Sequence, residues 1–131
     1  HVPGQDGGYA GTPVELMDLF PTLVELAGLD DTPNLMGKSL VPVLRDPQAD
    51  LGDVAISQYK RKGAYGYSMR TQRYRYTEWV MPDGKIAYRD LYDMQEDPGE
   101  TTNIGDSPEN RESMAARLRE NATGLMRLQP Q

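Results

Sequence analysis

The chain has 131 residues, a net charge of −6 and a hydrophobic fraction of 37%, values that fit one ordinary domain with a thin core. It contains no cysteine, which excludes disulfides, thiolate metal sites and a cysteine nucleophile, and its single histidine, His1, excludes a His-based triad within this chain. No apolar run approaches the roughly 20 residues of a membrane span, so no membrane partner is expected.

The first 50 residues carry one clear helix signal. Gly-rich sequence over 4–13 predicts a loop. A helix over about 19–27, starting after Asp18, keeps Pro21 in the first turn, where proline costs no amide partner, and ends at Gly28. Its apolar stripe consists of Leu19, Leu23, Leu26 and Ala27, with Phe20 and Val24 beside them. Residues 29–47 are predicted as loop with one turn around 39–44.

Four strands are predicted in the middle of the chain. Alternating side chains indicate strands over 54–59, 65–70, 73–80 and 86–92. Only two residues separate the second strand from the third, and Pro82, Asp83 and Gly84 form a strong turn before the fourth. The product is an antiparallel meander.

A second helix is predicted near the end of the chain. Ser107 is placed as its N-cap and Pro108 as its first residue. One face of this helix carries the apolar side chains Met114, Leu118, Leu125 and Met126.

The charge distribution singles out the strands. Residues 57–90 hold eight basic and three acidic side chains, six tyrosines and the only tryptophan, between acidic flanks. Such a band is typical of an anion-binding surface or of a half-buried sheet with a solvated face, and both interpretations stay open.

Motifs of catalysis are absent. Phosphate loops, zinc pairs and G-x-S-x-G are missing, and acidic groups at 30–31, 46–53 and 93–97 are predicted to be turn caps and solvated surface. We therefore assign no catalytic and no metal-binding residue.

Four segments in a fixed order resemble a known family. They read DLFPTLVELAGL from Asp18, AISQY from Ala55, GYSMRTQRYRYTEW from Gly66 and LYDMQEDPGETTNI from Leu91. Together they resemble the C-terminal region of sulfatases of the alkaline-phosphatase-like superfamily, within it the iduronate-2-sulfatase and choline-sulfatase-like branch.

The resemblance implies an α+β fold, a four-stranded antiparallel sheet with a C-terminal helix. Residues 1–52 would be the tail of the catalytic domain, with the helix at about 19–27, and residues 53–131 the C-terminal subdomain. In that family a formylglycine made from a C/S-x-P-x-R motif is the nucleophile and calcium binds the sulfate. The resemblance also suggests a periplasmic or secreted parent.

The nucleophile motif is not found in this sequence. Ser107 to Arg111 comes near it, but the proline follows the serine by one position instead of two. We therefore expect a fragment that completes the fold of a parent sulfatase and hydrolyses no sulfate ester alone. Its expected partners are the missing N-terminal catalytic portion and, through the parent, a sulfated small molecule or glycan.

Lys60, Arg61 and Lys62 lie between the first two strands. By resemblance this loop lies toward the mouth of the active site, so these cations are candidates for contact with a substrate carboxylate or sulfate. The alternative is an exposed charge run. Alternation in the third strand predicts arginines outward and Tyr74 and Tyr76 packed.

Two rival functions remain in the sequence. Tyrosines interleaved with arginines resemble a nucleic-acid stacking platform, but the separation of the two residue types in the third strand and the net charge of −6 disfavour a nucleic-acid partner. A free-standing module that binds sulfated glycan is the other rival. The apolar stripe after Asp18 further predicts self-association.

Overall fold

The computed structural model describes residues 2–4, 7–30, 32–52 and 54–122. It divides into two compact units, His1–Asp53 and Val54–Gln131. The first unit contains a 3-10 turn at Leu16–Asp18, α1 at Leu19–Leu26 and α2 at Val41–Arg45. The second contains β1 at Ala55–Arg61, β2 at Ala64–Arg70, β3 at Tyr74–Val80, β4 at Ile86–Asp93 and α3 at Pro108–Asn121. None of the described helices is long and apolar enough to cross a membrane.

Asp18 organises the first unit. Its carboxylate accepts the backbone N–H of Glu15 and that of Lys38, each at 2.8 Å, and so ties the segment after α1 to the turn before it. The predicted cap position is right, but the carboxylate does not bond the first turn of α1. Gly37 passes so close to Met17 that a Cβ atom would lie 2.1 Å from its carbonyl oxygen. Only glycine fits this crossing.

α1 leaves most of its apolar stripe uncovered. Val24 and Thr22 are its buried residues, whereas Leu19, Phe20, Leu23 and Leu26 are exposed. Val24 therefore packs inward while the predicted stripe faces outward. The predicted turn around 39–44 corresponds to α2.

The second unit is built on a sheet of order β1-β2-β3-β4 with all neighbours antiparallel, as the alternation predicts. β1 runs two residues further than predicted, because Lys60 and Arg61 pair with Tyr65 and Ala64. Lys62 and Gly63 alone form the hairpin turn, both with positive φ, which matches the right-handed twist of the paired strands.

The connection between β2 and β3 is longer than predicted. Three residues, 71–73, separate the strands, because the turn closes between Thr71 and Tyr74 and therefore includes Arg73. Its carbonyl accepts the N–H of Met94, and its guanidinium pairs with Asp93 at 2.7 Å. The Thr71 N–H bonds the Tyr74 carbonyl and closes the turn.

α3 packs on one face of the sheet. Ser107 is its N-cap, as predicted, but its side chain makes no cap hydrogen bond; its carbonyl accepts the N–H of Arg111. Met114 and Leu118 reach the core as expected, and Leu125 and Met126 lie outside the described residues. The core of this unit consists of Tyr67, Met69, Tyr76, Leu91, Ala115, Leu118 and Ala122.

A buried carboxylate lies beside this core. Glu78 is 2% exposed and accepts a hydrogen bond from the Tyr76 hydroxyl at 2.7 Å. Arg89 of β4 and Arg119 of α3 reach the same oxygen at 3.2 and 3.4 Å. Because its donors come from three elements, this carboxylate links the sheet to α3.

Candidate functional site

The face of the sheet opposite α3 carries its side chains in three rows, and we call it the open face. The strand register aligns these rows across all four strands. The aromatic row is Tyr59, Gly66, Trp79 and Tyr88; the hydroxyl row is Ser57, Ser68, Thr77 and Asp90; the arginine row is Ala55, Arg70, Arg75 and Tyr92. Neighbouring rows are about 7 Å apart, since they are two residues apart along each strand.

Gly66 makes room for the tryptophan in the aromatic row. A Cβ atom on Gly66 would lie 3.0 to 3.2 Å from ring atoms of Trp79, so the indole rests against the backbone of β2. Tyr59 and Tyr88, at the two edges of this row, are 65% and 58% exposed. The row therefore offers flat apolar rings to an incoming group.

The hydroxyl row is the middle of the open face. The Thr77 hydroxyl donates to Ser68 Oγ at 3.0 Å, and Asp90 accepts from the Tyr92 hydroxyl and from the Asn103 amide. These groups line a concavity of about 320 Å³ together with residues of the other two rows and Glu100. This volume lies at the small end of ligand pockets.

The arginine row has one satisfied and one unsatisfied cation. Arg75 Nη1 pairs with Glu100 at 2.6 Å. Arg70, its direct neighbour on β2, has a buried Nη1 with no hydrogen-bond partner within the described part of the chain. Tyr92 closes the row, and its burial and the Asp90 carboxylate raise its pKa.

The three sequence candidates do not share one face. Lys60 projects on the side of α3, where its Nζ lies 5.2 Å from the ring centroid of Tyr65. Arg61 alternates to the side of the open face, and Lys62 sits in the turn with φ of 48°. All three are exposed at the tip of the β1–β2 hairpin.

Several of the predicted acidic groups act as turn caps. Asp46, Asp50 and Asp97 accept backbone N–H groups two to five residues ahead, as predicted for turns. The hydrogen bond from Arg73 lowers the pKa of Asp93. No three His, Cys, Asp or Glu side chains come together as a metal site within the described ranges.

Alternation found part of this site. As predicted, Tyr76 is buried and Tyr74 packs against the core, while Arg75 points to the other face. The inferred separation of aromatics from cations was wrong for Trp79, which shares the open face with Arg75. Trp79 follows Arg75 by four residues in β3, and this even spacing places both side chains on the same face of the sheet. Arg70 was missed, because its neighbours depend on the register.

Comparison with known proteins identifies the class. The family described as N-sulphoglucosamine sulphohydrolase, C-terminal, matches residues 5–127. Delta 4,5-hexuronate-2-O-sulfatase of Bacteroides thetaiotaomicron is 34% identical over 104 residues, or 76% of this chain and 21% of that protein. Arylsulfatase K of Xenopus laevis is 31% identical over 128 residues, or 89% of this chain and 23% of that protein.

Solved structures agree in fold. A protein in complex with its substrate D-glucosamine-2-N,6-O-disulfate matches with a TM-score of 0.70 and 26% identity, over 86% of this chain and 24% of that one. A 2-O GAG sulfatase matches with a TM-score of 0.63 and 31% identity, over 81% and 24%. The chain is thus a C-terminal sulfatase region with the fold of the alkaline-phosphatase-like enzymes.

The chain belongs to the N-sulphoglucosamine sulphohydrolase C-terminal family. It spans about a fifth of the length of the curated relatives it matches. The comparisons favour a sulfatase fragment over the free-standing binding module, and the particular branch within the sulfatases is left open.

Proposed function

We propose that this chain completes a parent sulfatase that hydrolyses the sulfate ester of a sugar residue, and that it borders the substrate pocket without catalysing the reaction itself. The observation that carries the proposal is the family match over residues 5–127. One relative named for hexuronate 2-O-sulfate, and a structural neighbour bound to a sulfated glucosamine, support a sulfated sugar as the substrate class.

The side chains of this chain indicate which functions belong to it and which belong to the N-terminal catalytic portion. A sulfatase of this family implies formylglycine and calcium, and the described residues offer no metal-ligand group. We infer that both belong to the N-terminal catalytic portion, for which residues 1–52 are the connecting tail and residues 53–131 the subdomain. The chain then contributes structure and binding groups.

We further propose that the hairpin tip meets the anionic part of the substrate. Lys60, Arg61 and Lys62 put three exposed cations within one turn, and the two positive-φ residues hold the tip in a tight hairpin. Lys60 and Arg61 lie on opposite sides of the sheet. One substrate group therefore contacts Lys62 together with either Lys60 or Arg61, but not all three.

Measuring sulfate release tests both the activity proposed for the parent enzyme and the inactivity proposed for this chain alone. The longer gene product, containing a C/S-x-P-x-R motif ahead of this chain, is expected to release sulfate from a 4,5-unsaturated 2-O-sulfated uronic acid disaccharide or from glucosamine-2-N,6-O-disulfate. The 131-residue chain alone is expected to release none. Turnover by this chain, or no release of sulfate from either sugar by the folded longer protein, would contradict the proposal.

The hairpin cations have a matched control. Replacing Lys60, Arg61 and Lys62 by glutamine in the longer protein is expected to raise KM and leave kcat unchanged, since uniform binding is lost. Lys85→Gln removes a charge from another exposed strand turn, where it pairs with Asp83 at 2.8 Å, and is expected to change neither parameter. An unchanged KM in the triple variant would identify the tip as a solvated charge run.

A further inference from the structure

Arg70 is the unexplained charge of the second unit. Its Nη1 is buried and has no hydrogen-bond partner in the described ranges, although native structures leave few such groups unpaired. The residue as a whole is half-buried, and it adjoins Arg75 and Ser68, which line the concavity of the open face, without lining it itself. A cation in this setting is stabilised by an oxyanion that reaches it from outside.

The neighbouring arginine strengthens this argument. Arg70 and Arg75 are direct cross-strand partners on the open face, and like charges in this position repel each other. Glu100 pairs with Arg75 and neutralises that cation. An anion at Arg70 would do for this cation what Glu100 does for Arg75, and it would give Arg70 Nη1 a partner.

The rest of the open face indicates what carries the anion. Rings at Tyr59 and Trp79 suit stacking against an apolar ring face, and the hydroxyl row and Asp90 supply donors and acceptors for hydroxyl groups. Asp90 and Glu100 oppose a polyanion such as a nucleic acid.

We propose that the open face binds one sulfated sugar residue, with its ring over the aromatic and hydroxyl rows and its sulfate on Arg70. The concavity of about 320 Å³ has room for one sugar residue. The inference rests on the proposed function, since it takes the sulfated sugar as the ligand class. It adds a sugar-contacting surface whose concavity is lined by none of the hairpin-tip cations, although Arg61 lies on the same side of the sheet.

Trp79 reports on this face directly, because it is the only tryptophan of the chain. The 131-residue chain is titrated with a 2-O-sulfated uronic acid disaccharide, with the same disaccharide lacking sulfate, and with sodium sulfate. A saturable change of Trp79 fluorescence is expected with the sulfated disaccharide, at lower concentration than with either of the others.

Variants at Arg70 test the role of the cation. Arg70→Gln is expected to weaken binding about tenfold or more, since a hydrogen bond to a charged group is lost. Arg70→Lys keeps the positive charge but lacks the forked donor geometry of the guanidinium. Its affinity is expected to lie between those of the wild type and Arg70→Gln. Lys85→Gln, with the same loss of charge outside the open face, is expected to bind like the wild type. Circular dichroism establishes that each variant is folded.

Several results would overturn the inference. They are a Trp79 signal that does not respond to the sulfated disaccharide, equal affinity of wild type and Arg70→Gln, or equal affinity for the sulfated and unsulfated disaccharides. If Arg70→Gln does not fold, wild-type affinity in Arg70→Lys overturns the inference instead. Failure of the proposed function is seen separately, as absence of sulfate release by the longer protein, because the titration requires no turnover.

Discussion

Replacing Glu78 by leucine distinguishes how much stability comes from the hydrogen bond between Tyr76 and this buried carboxylate and how much comes from its pairs with Arg89 and Arg119. The side chains of Arg89 and Arg119 are 35% and 54% exposed, so both regain water when the carboxylate is removed. Tyr76 is fully buried and cannot. The loss of stability in Glu78→Leu therefore comes mainly from the hydroxyl of Tyr76, which is left without its acceptor.

The magnitude follows from that single group. A buried hydroxyl without a partner costs about 1–3 kcal/mol, so the free energy of unfolding of the second unit is expected to fall by that amount. For a domain of this size, each kcal/mol corresponds to about 4–8 °C in Tm. Tyr76→Phe in the same background removes the unpaired hydroxyl, and the double variant is expected to recover most of the loss.

Urea unfolding followed by Trp79 fluorescence measures these changes, since Trp79 adjoins Glu78 in β3. The four proteins of the cycle are the wild type, Tyr76→Phe, Glu78→Leu and the double variant. A loss of about 3–5 kcal/mol that persists unchanged in the double variant would refute the reasoning. The arginine pairs would then dominate, as in a buried salt bridge that loses one partner.

Two further predictions concern pH and association. Burial, then the hydrogen bond to Glu78, raises the pKa of Tyr76 above its ordinary 10.0, so the folded state keeps a proton that the unfolded state loses. The free energy of unfolding is therefore expected to fall as pH rises above about 10, and to fall less in Tyr76→Phe. Urea midpoints measured over this pH range test the expectation. The same pH dependence in the wild type and in Tyr76→Phe would contradict it. Leu23 is 63% exposed on α1, so wild-type chain is expected to self-associate in light scattering at micromolar concentration. Leu23→Glu should weaken that association about tenfold or more, and a monomeric wild type would show that the stripe drives no assembly.

The sheet was predictable because apolar and polar side chains alternate along its strands. The strand order followed from the short connections between consecutive strands. The ends of strands were less predictable. Lys60 and Arg61 are polar and exposed, as loop residues are, although the turn that follows them extends the strand pairing. Arg73 lies outside β3 because the hydrogen bonds between Thr71 and Tyr74 close a turn that includes it.

The candidate site was harder to find for the same reason. Aromatic, hydroxyl and arginine rows exist only when the registers of three hairpins are known, and a two-residue change in one turn would misalign them. The burial of Glu78 had no local signal either, since two of its partners, Arg89 and Arg119, come from other elements. The family resemblance, in contrast, depended on sequence order alone.

The two edges of the sheet differ in their capacity to recruit another strand. Along β4, Asn103 and Ile104 bond the backbone of Arg89 and Leu91, which occupies that edge. β1 ends the sheet on the other side. Exposed edges of this kind template aggregation unless charges oppose it, and lysine is the residue most used for that purpose. Lys60, Arg61 and Lys62 are therefore expected to oppose strand pairing between molecules, and neutralising them is expected to lower solubility.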